Sequence, residues 1–389
     1  MKTVSTSSVL VYGAVCFLAG SVWAAELQEA AEFRPLFNGK DLSGWVNVNC
    51  ATDTWSATNG VIACTGVPIG ELRTDRMYQN FVLELEWRHL KAGGNAGIFV
   101  WADALTARGE PFIRGIEVQV LDGREGPTHT SDGDIFPIHG ARMTPVNGRG
   151  GDRAFPTEKR AKPSPEWNHY RIECIDGSIS LAVNGKVVTR GTEASPRKGY
   201  ICLESEGSPA EFRHLRIREL PEKEALSPEA IANPAEGFLS LYNGRDFSGW
   251  RTDVGAEAAW RSRDWILECE GTKPGAPLVA EGVSGDGIWI LDWRWRDAKR
   301  PGDWRSLLRP RGVDLASVLT RVPAGLEQAA GKWNRVLCQI RGNRMRVEVN
   351  GKPVGDGFEL AGVPAKGRTV LVPAEVPVEV ANLFYKRLD

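Results

Sequence analysis

Glu117 and Gln119 stand two residues apart in the stretch Gly115-Ile116-Glu117-Val118-Gln119-Val120-Leu121-Asp122. Their alternation with Ile116, Val118 and Val120 reads as a strand with two unlike faces. Residues i and i+2 of a strand share a face, so the carboxylate and the amide point the same way. Acid plus amide on one face suits a sugar-binding cleft. A polar, solvated face with no task is the plain alternative. Asp122 lies one residue out of phase, where the strand gives way to Gly123.

Other candidates flank this strand. Asp132-Gly133-Asp134-Ile135-Phe136-Pro137-Ile138-His139 reads as a Gly/Pro/Asp-rich loop within an insert-like region, residues 102–165. His139 is its general acid/base candidate, because an unperturbed imidazole titrates near neutrality. Gly93-Gly94-Asn95-Ala96-Gly97-Ile98-Phe99-Val100-Trp101 reads as a turn entering a strand, its glycines permitting close backbone approach. Asn95 would sit at the strand's mouth, and Trp101 could be a stacking platform for a sugar. Arg142, Arg149, Arg153, Lys159, Arg160 and Lys162 read as a solvated face, with Lys162 the chosen substrate contact among them. Arg88, in Leu85-Glu86-Trp87-Arg88, is the remaining substrate-binding candidate.

Metal and nucleotide chemistry find little footing. No His-x-His, CxxC or zinc spacing occurs. Asp132-Gly133-Asp134 offers oxygens without the spacing of a calcium loop. Nucleophile-elbow, P-loop and dinucleotide signatures are missing. No cofactor is predicted; a divalent cation stays open, unsupported by spacing.

The elements that must position these residues come twice. Leu36-Phe37-Asn38-Gly39-Lys40-Asp41-Leu42-Ser43-Gly44-Trp45 returns 205 residues later as Leu241-Tyr242-Asn243-Gly244-Arg245-Asp246-Phe247-Ser248-Gly249-Trp250. Trp55 with Cys64 returns as Trp260 with Cys269, and Leu85-Glu86-Trp87-Arg88 as Leu291-Asp292-Trp293-Arg294. Trp167-Asn168 and Val183-Asn184-Gly185-Lys186 return as Trp333-Asn334 and Val349-Asn350-Gly351-Lys352, at an offset of 166. The second copy has therefore lost roughly forty residues between its early and late thirds, a tandem domain rather than a solenoid. Asn-Gly pairs between β-rich runs read as hairpin turns. Residues 81–88, 167–174, 178–188 and 211–218 are strand-like, and long helical periodicity is absent. Each copy is expected to be an all-β two-sheet sandwich.

The boundaries expected are a signal peptide over 1–24, a first sandwich over 33–220, a linker over 221–237 and a shortened second sandwich over 238–389. Lys2, the apolar run from Val9 to Val22 and Val22-Trp23-Ala24 carry the export reading. They place the mature chain in the periplasm or outside the cell. In the linker, Ser227-Pro228-Glu229 could cap a short helix. The chain of 389 residues carries 25% charged residues and a net charge of −1, so no basic field invites nucleic acid. After signal removal no membrane segment is expected, and the oligomeric state is not legible. Fourteen tryptophans fit sandwich cores or sugar stacking alike. Beyond Cys16, the six cysteines are expected to be mostly buried thiols, with Cys50 and Cys64 the nearest candidates for one bridge.

Together, residues 36–45, 94–99, 115–122, 133–140 and 166–168 resemble the 3-keto-disaccharide hydrolase domain family. Asn95-Ala96-Gly97 stands where that family commonly has Asn-Ser-Gly. The resemblance implies two tandem concanavalin-A-like jelly-roll β-sandwiches, the second degenerate. It further implies a glycoside or oligosaccharide substrate oxidised at C3, cleaved by loss of the C2 proton and then of the C1 substituent, with water added back. On that view Glu117 or His139 is base or acid, Gln119 and Asn95 hold sugar hydroxyls or the enolate oxygen, and Asp122 orients. The rivals are a non-catalytic, lectin-like sandwich and a protein-binding scaffold. The second copy, without a clear Glu-x-Gln strand, histidines or the long loop, is expected to be silent. A chain ending near Leu220 is expected to stay active.

Overall fold

The computed structural model describes residues 32–388 except 124–125, 127–128, 131, 223–224, 253–258, 272–274, 298 and 300. The expected signal segment lies outside the described residues.

Branched and aromatic runs of period two build antiparallel strands, and left-handed turns join several of them. Asp176-Gly177, Asn184-Gly185 and Asn350-Gly351 all take positive φ at both positions, as tight hairpins with right-handed strand twist require. The first sandwich comprises β1 (Arg34–Pro35), β2 (Trp45–Asn47), β3 (Trp55–Thr58), β4 (Val61–Cys64), β5 (Gly70–Thr74), β6 (Phe81–His89), β7 (Asn95–Ala102), β8 (Gly115–Leu121), β9 (Asp132–Ile138), β10 (Arg142–Pro145), β11 (Asn168–Ile175), β12 (Ser178–Val183), β13 (Lys186–Ser195), β14 (Tyr200–Ser205) and β15 (Ala210–Glu219). One sheet runs β10-β13-β12-β11-β6-β15-β4-β3, with β1 beside β15; the other runs β2-β5-β14-β7-β8-β9. The expected loop over 132–139 is therefore a correction: most of it is β9, paired along β8 with Glu117 opposite Phe136. Asp134 misled because its carboxylate is fully buried and held by Thr130 and Arg153 rather than by solvent.

The second sandwich comprises β16 (Phe238–Ser240), β17 (Trp250–Thr252), β18 (Trp260–Arg263), β19 (Ile266–Cys269), β20 (Leu278–Ser284), β21 (Gly287–Trp295), β22 (Leu308–Arg309), β23 (Asn334–Arg341), β24 (Arg344–Val349), β25 (Lys352–Pro353), β26 (Phe358–Glu359), β27 (Gly367–Leu371) and β28 (Val378–Arg387). Its larger sheet, β18-β19-β28-β21-β23-β24-β25, has the order of the first sandwich's β3-β4-β15-β6-β11-β12-β13. Its smaller sheet, β17-β20-β27-β22, matches β2-β5-β14-β7 and stops there. Among the described residues it has no counterparts of β8 and β9. Both units are jelly-roll sandwiches, and their strand orders fit a tandem repeat.

The repeated ten-residue motif is a folding device. Asn38 Nδ2 donates to Asp41 Oδ1, and Asp41 Oδ1 accepts from the Ser43 amide; Asn243, Asp246 and Ser248 repeat both bonds. Trp45 and Trp250 each donate Nε1 back to the carbonyl nine residues earlier, Leu36 and Leu241. Each sandwich has its own core, and a third apolar cluster joins Phe99, Ile113 and Cys202 of the first to Ile290 and Phe384 of the second. The segment between them makes a single 3-10 turn at Pro228–Ala230, with no cap from the Ser227 side chain. Cys50 and Cys64 are both buried and unbridged, as are the other four described cysteines, which corrects the expected bridge. Strand burial supplies their apolar surroundings, and a buried thiol needs no partner.

On β8, Ile116, Val118 and Val120 are fully buried in the first core. Ile116→Ala is expected to lower the stability of the first sandwich by about 2–5 kcal/mol, read as an earlier midpoint in urea unfolding.

Candidate functional site

The opposite face of β8 is also buried. Glu117 is 5% exposed and Gln119 6%, so the polar side of this strand is not a solvated surface. The neighbouring strand β7 sets Gly97 opposite Gln119 and Phe99 opposite Glu117. Gly97 has no side chain, and two carboxyls meet above it. A Cβ there would lie 2.7 Å from Glu204 Oε2 and 2.9 Å from Glu117 Oε1. Glu204 comes from β14 and pairs with Glu71 on β5. Three carboxyls, Glu117, Glu204 and Glu71, thus form a row across four strands. Side chains on one sheet face sit about 5 Å apart from strand to strand.

Few cations balance this row. Both carboxyl oxygens of Glu71 and Oε2 of Glu204 are buried without a hydrogen-bond partner. Burial, and then the charge of Glu117, push the Glu71 and Glu204 carboxyls well above the usual range. Burial and then Glu206 push Glu117 up to about 8, against the opposing pull of Arg153. Arg153 donates to the fully buried Asp134 at 2.9 Å and lies 3.4 Å from the centre of the Phe136 ring. Arg73 shares the face of Glu71 but gives its nitrogens to the Ala104 and Thr74 carbonyls. A carboxyl removed from water without a cation holds its proton at neutral pH.

Asn95 and Gln119 join the row at its open end. Gln119 Nε2 donates to Asn95 Oδ1 at 3.0 Å and to the Ala96 carbonyl at 3.3 Å. Asn95 Nδ2 donates to Glu206 Oε2. The amide of Gln119 is therefore spent on positioning Asn95. Asp122 lies past the strand end, where its Oδ2 accepts from the Ser164 amide at 3.3 Å. It stands near His89, whose charge state it influences, and away from Glu117.

Four expected residues fall elsewhere. Trp101 is no sugar platform: its indole is fully buried in the first core and donates to the Gln79 carbonyl at 2.8 Å. A positive φ at this position turns the ring inward, out of strand phase. Arg88 is on the outer face of the other sheet, bonded to Glu211 and 4.6 Å from the Trp167 ring centre. Odd residues of β6 fill the core, so even ones face away from the Glu117 row. His139 sits exposed in the turn after β9, past the Ile138–Gly115 pair. Two residues of strand separate that pair from Glu117, so His139 is off the row by about 10 Å. Lys162 is exposed, with its backbone tied to Asn168; the cation beside Glu117 is Arg153. Among the described residues no group of three His, Cys, Asp or Glu side chains has metal-holding geometry.

Glu71, Glu204 and Glu206 went unread in the sequence. Their signal was the one used for Glu117, an acid alternating with apolar residues, in Gly70-Glu71-Leu72 and Leu203-Glu204-Ser205-Glu206. The shared register also shows what the second sandwich has in their place. Leu278 and Leu371 pair there as Leu72 and Leu203 pair in the first, which puts Pro277 and Val372 where Glu71 and Glu204 stand.

Residues 32–218 match the model of the 3-keto-alpha-glucoside-1,2-lyase-like domain. The match spans the first sandwich. A 3-keto-disaccharide hydrolase of Bacteroides thetaiotaomicron is 28% identical over 178 residues, spanning 41% of this chain and 58% of that protein. The chain thus matches little more than half of that relative's length. Two solved Parabacteroides distasonis structures, whose proteins are provisionally named glycosyl hydrolases, are also similar. One is 24% identical, covers 50% of this chain and 97% of its own, and has a TM-score of 0.39. The other is 26% identical, covers 49% and 100%, and has a TM-score of 0.37.

The Glu117 carboxyl carries a stability signature. Its folded pKa of about 8 lies above the ordinary 4.5. Below the ordinary value both folded and unfolded chains hold the proton. As pH rises, only the folded chain keeps it, so stability is lost progressively up to about 8. Glu117→Gln is expected to remove that loss, gaining on the order of 4 kcal/mol over the parent at pH 8 relative to pH 4.5. Urea unfolding of both proteins across this range measures the difference.

Proposed function

We propose that the first sandwich cleaves glycosides oxidised to the ketone at C3, by 1,2-elimination followed by hydration. One observation carries the reading: Glu117 and Glu204 meet over the bare Gly97 with too few cations for both to ionise. Two coupled carboxyls whose surroundings differ divide into a base and an acid.

A C3 ketone acidifies the hydrogen on C2. Glu117, the member beside Arg153, gives up its proton first and is the base. It takes the C2 proton, and the electron pair moves to the C3 oxygen as an enolate. Arg153 is the cation placed to face that oxygen. The enolate collapses to form the C1–C2 double bond, and the C1–O bond breaks. Glu204, the more deeply buried carboxyl, gives its proton to the departing oxygen. Water then adds its oxygen to C1 while giving a proton to Glu204, and Glu117 returns its proton to C2, which restores both carboxyls. Asn95, aligned by Gln119, holds a ring hydroxyl. The pattern differs from ordinary glycosidases, which place two carboxylates on either side of the C1 bond. The family's printed name, a 1,2-lyase-like domain, supports the elimination. The N-terminal apolar segment supports export, so we place this chemistry outside the cytoplasm.

With a 3-keto-glucoside, kcat/KM is expected to rise with pH and level off above about 8, as Glu117 ionises. Glu117→Gln is expected to cost at least about 10²-fold. Glu204→Gln is expected to lose a similar factor on a 3-keto-disaccharide yet recover on a 3-keto-glucoside of nitrophenol, which leaves without an acid. Full activity of Glu117→Gln would end the reading. Retention of the unoxidised disaccharide on the protein, with no turnover of either sugar, would favour the lectin.

A further inference from the structure

The face that bears the acid row has a second half. Toward the Phe99 end it becomes apolar, with Phe99, Cys202 and Tyr200. The hairpin joining β7 to β8, residues 103–114, folds over this half. Its arms are bonded from the Asp103 amide to the Arg114 carbonyl and from the Ala107 amide to the Phe112 carbonyl. Asn49 ties it down, donating Nδ2 to the Pro111 carbonyl while its Oδ1 accepts from the Glu71 amide. The Ile113 amide faces the Glu71 carboxyl without closing a bond of normal geometry. The hairpin is therefore the lid over the deep end of the row.

The tip of that hairpin, residues 106–110, is received by the second sandwich. Asp292 is fully buried, and its Oδ2 accepts from the Gly109 amide at 2.7 Å. Arg335 holds Asp292 through two nitrogens and donates to the Thr106 carbonyl at 3.0 Å. Asn382 Nδ2 reaches the Ala107 carbonyl at 2.9 Å, the Glu110 carbonyl at 3.0 Å and Asp292 at 2.8 Å. Trp265 donates Nε1 to the Gly109 carbonyl. Gly109 has a φ of +75°, and a Cβ there would strike the Trp333 indole at 2.0 Å. Five backbone groups of the tip thus have partners on the second sandwich.

The same sheet face in the first sandwich has no such use. Its register equivalents of Asp292, Arg335 and Asn382 are Glu86, His169 and His214, which line an open hollow with Arg213 and Arg216. His214 and Asn382 even share the positive φ of one strand irregularity.

We propose that the second sandwich is a positioning module for the acid row: Asp292, Arg335 and Asn382 clamp the 103–114 hairpin and so keep water from Glu71. The role rests on the catalytic reading above and gives the copy without an acid row its task. A chain ending near Leu220 would leave the tip's amide and carbonyls without these partners. Glu117, Glu204 and Glu206 face Glu71 from β8 and the β14 region; Arg73 shares its strand, and the Cys50 and Cys202 thiols lie nearby.

The test uses the full chain and Asn382→Gly, which removes three hydrogen bonds at a position where glycine keeps the backbone unstrained. Arg245→Ala, which breaks the exposed Arg245–Asp53 pair elsewhere between the sandwiches, is the control. Hydrogen exchange at the Gly109 amide is expected to quicken at least tenfold in Asn382→Gly and not in the control. Carboxyl carbon-13 titration is expected to move Glu71 toward the ordinary carboxylate range in Asn382→Gly alone. A Glu71 carboxylate that ionises earlier holds the Glu117 proton more firmly, so the pH limb of kcat/KM should move to higher pH while KM holds. Parent-like exchange at Gly109 would overturn the clamp. Quick exchange with an unmoved Glu71 titration would overturn its link to the acid row. A parent that shows the exchange and titration behaviour but never turns over a keto-sugar would sink the catalytic reading and leave the clamp standing.

Discussion

Like charges cannot crowd into a dry space and all stay ionised. That constraint governs the first sandwich. Glu117, Glu204 and Glu71 are each buried, and two of them converge on the space above the backbone of Gly97. The arrangement costs stability, because every carboxyl in it must surrender its water and hold its proton. The opposite face of the same sheet offsets that cost. Ile116, Val118, Val120, Ile98 and Leu203 lie fully or almost fully buried in the core. One sheet thus does two incompatible jobs on its two sides, and the period-two alternation of a strand makes that separable residue by residue.

The second sandwich shows the same framework without the constraint. Its strand order repeats that of the first, and the Asn-Asp turn that opens each unit repeats bond for bond. Pro277 and Val372 occupy the places of Glu71 and Glu204. Freed of acids, the unit turns outward the face that the first copy leaves charged. Ile290 stands there where the first copy has Glu84, a residue held by Arg171 and Arg216. Phe384 likewise stands where the first copy has Arg216, so apolar side chains replace an ion pair at the interface.

Much of this architecture was legible in the residues. Asn-Gly pairs, tryptophan spacing and the offset between copies pointed to two sandwiches, because turn chemistry and core periodicity are local. The face of Glu117 was legible for the same reason. Its neighbours were not, since Glu204 and Glu71 lie far off in sequence and meet it only through strand pairing. Trp101 misled because a single left-handed residue breaks the alternation. Residues 132–139 misled because Asp, Gly and Pro mark turns in most contexts, whereas here they sit in a strand beside the acid row. Lys162 and Arg153 looked alike as loop cations; only a folded chain tells which one comes to lie beside a carboxylate.

β8 and β9 are the last two strands of their sheet, on the side away from β2. A plank at the margin of a floor can be lifted without loosening the rest. The residues that give this sheet its chemistry on β8 are therefore dispensable to its architecture, and the shorter unit in the same chain is what remains when both marginal strands are absent. In a fold arranged this way, reactivity can be discarded while the scaffold persists.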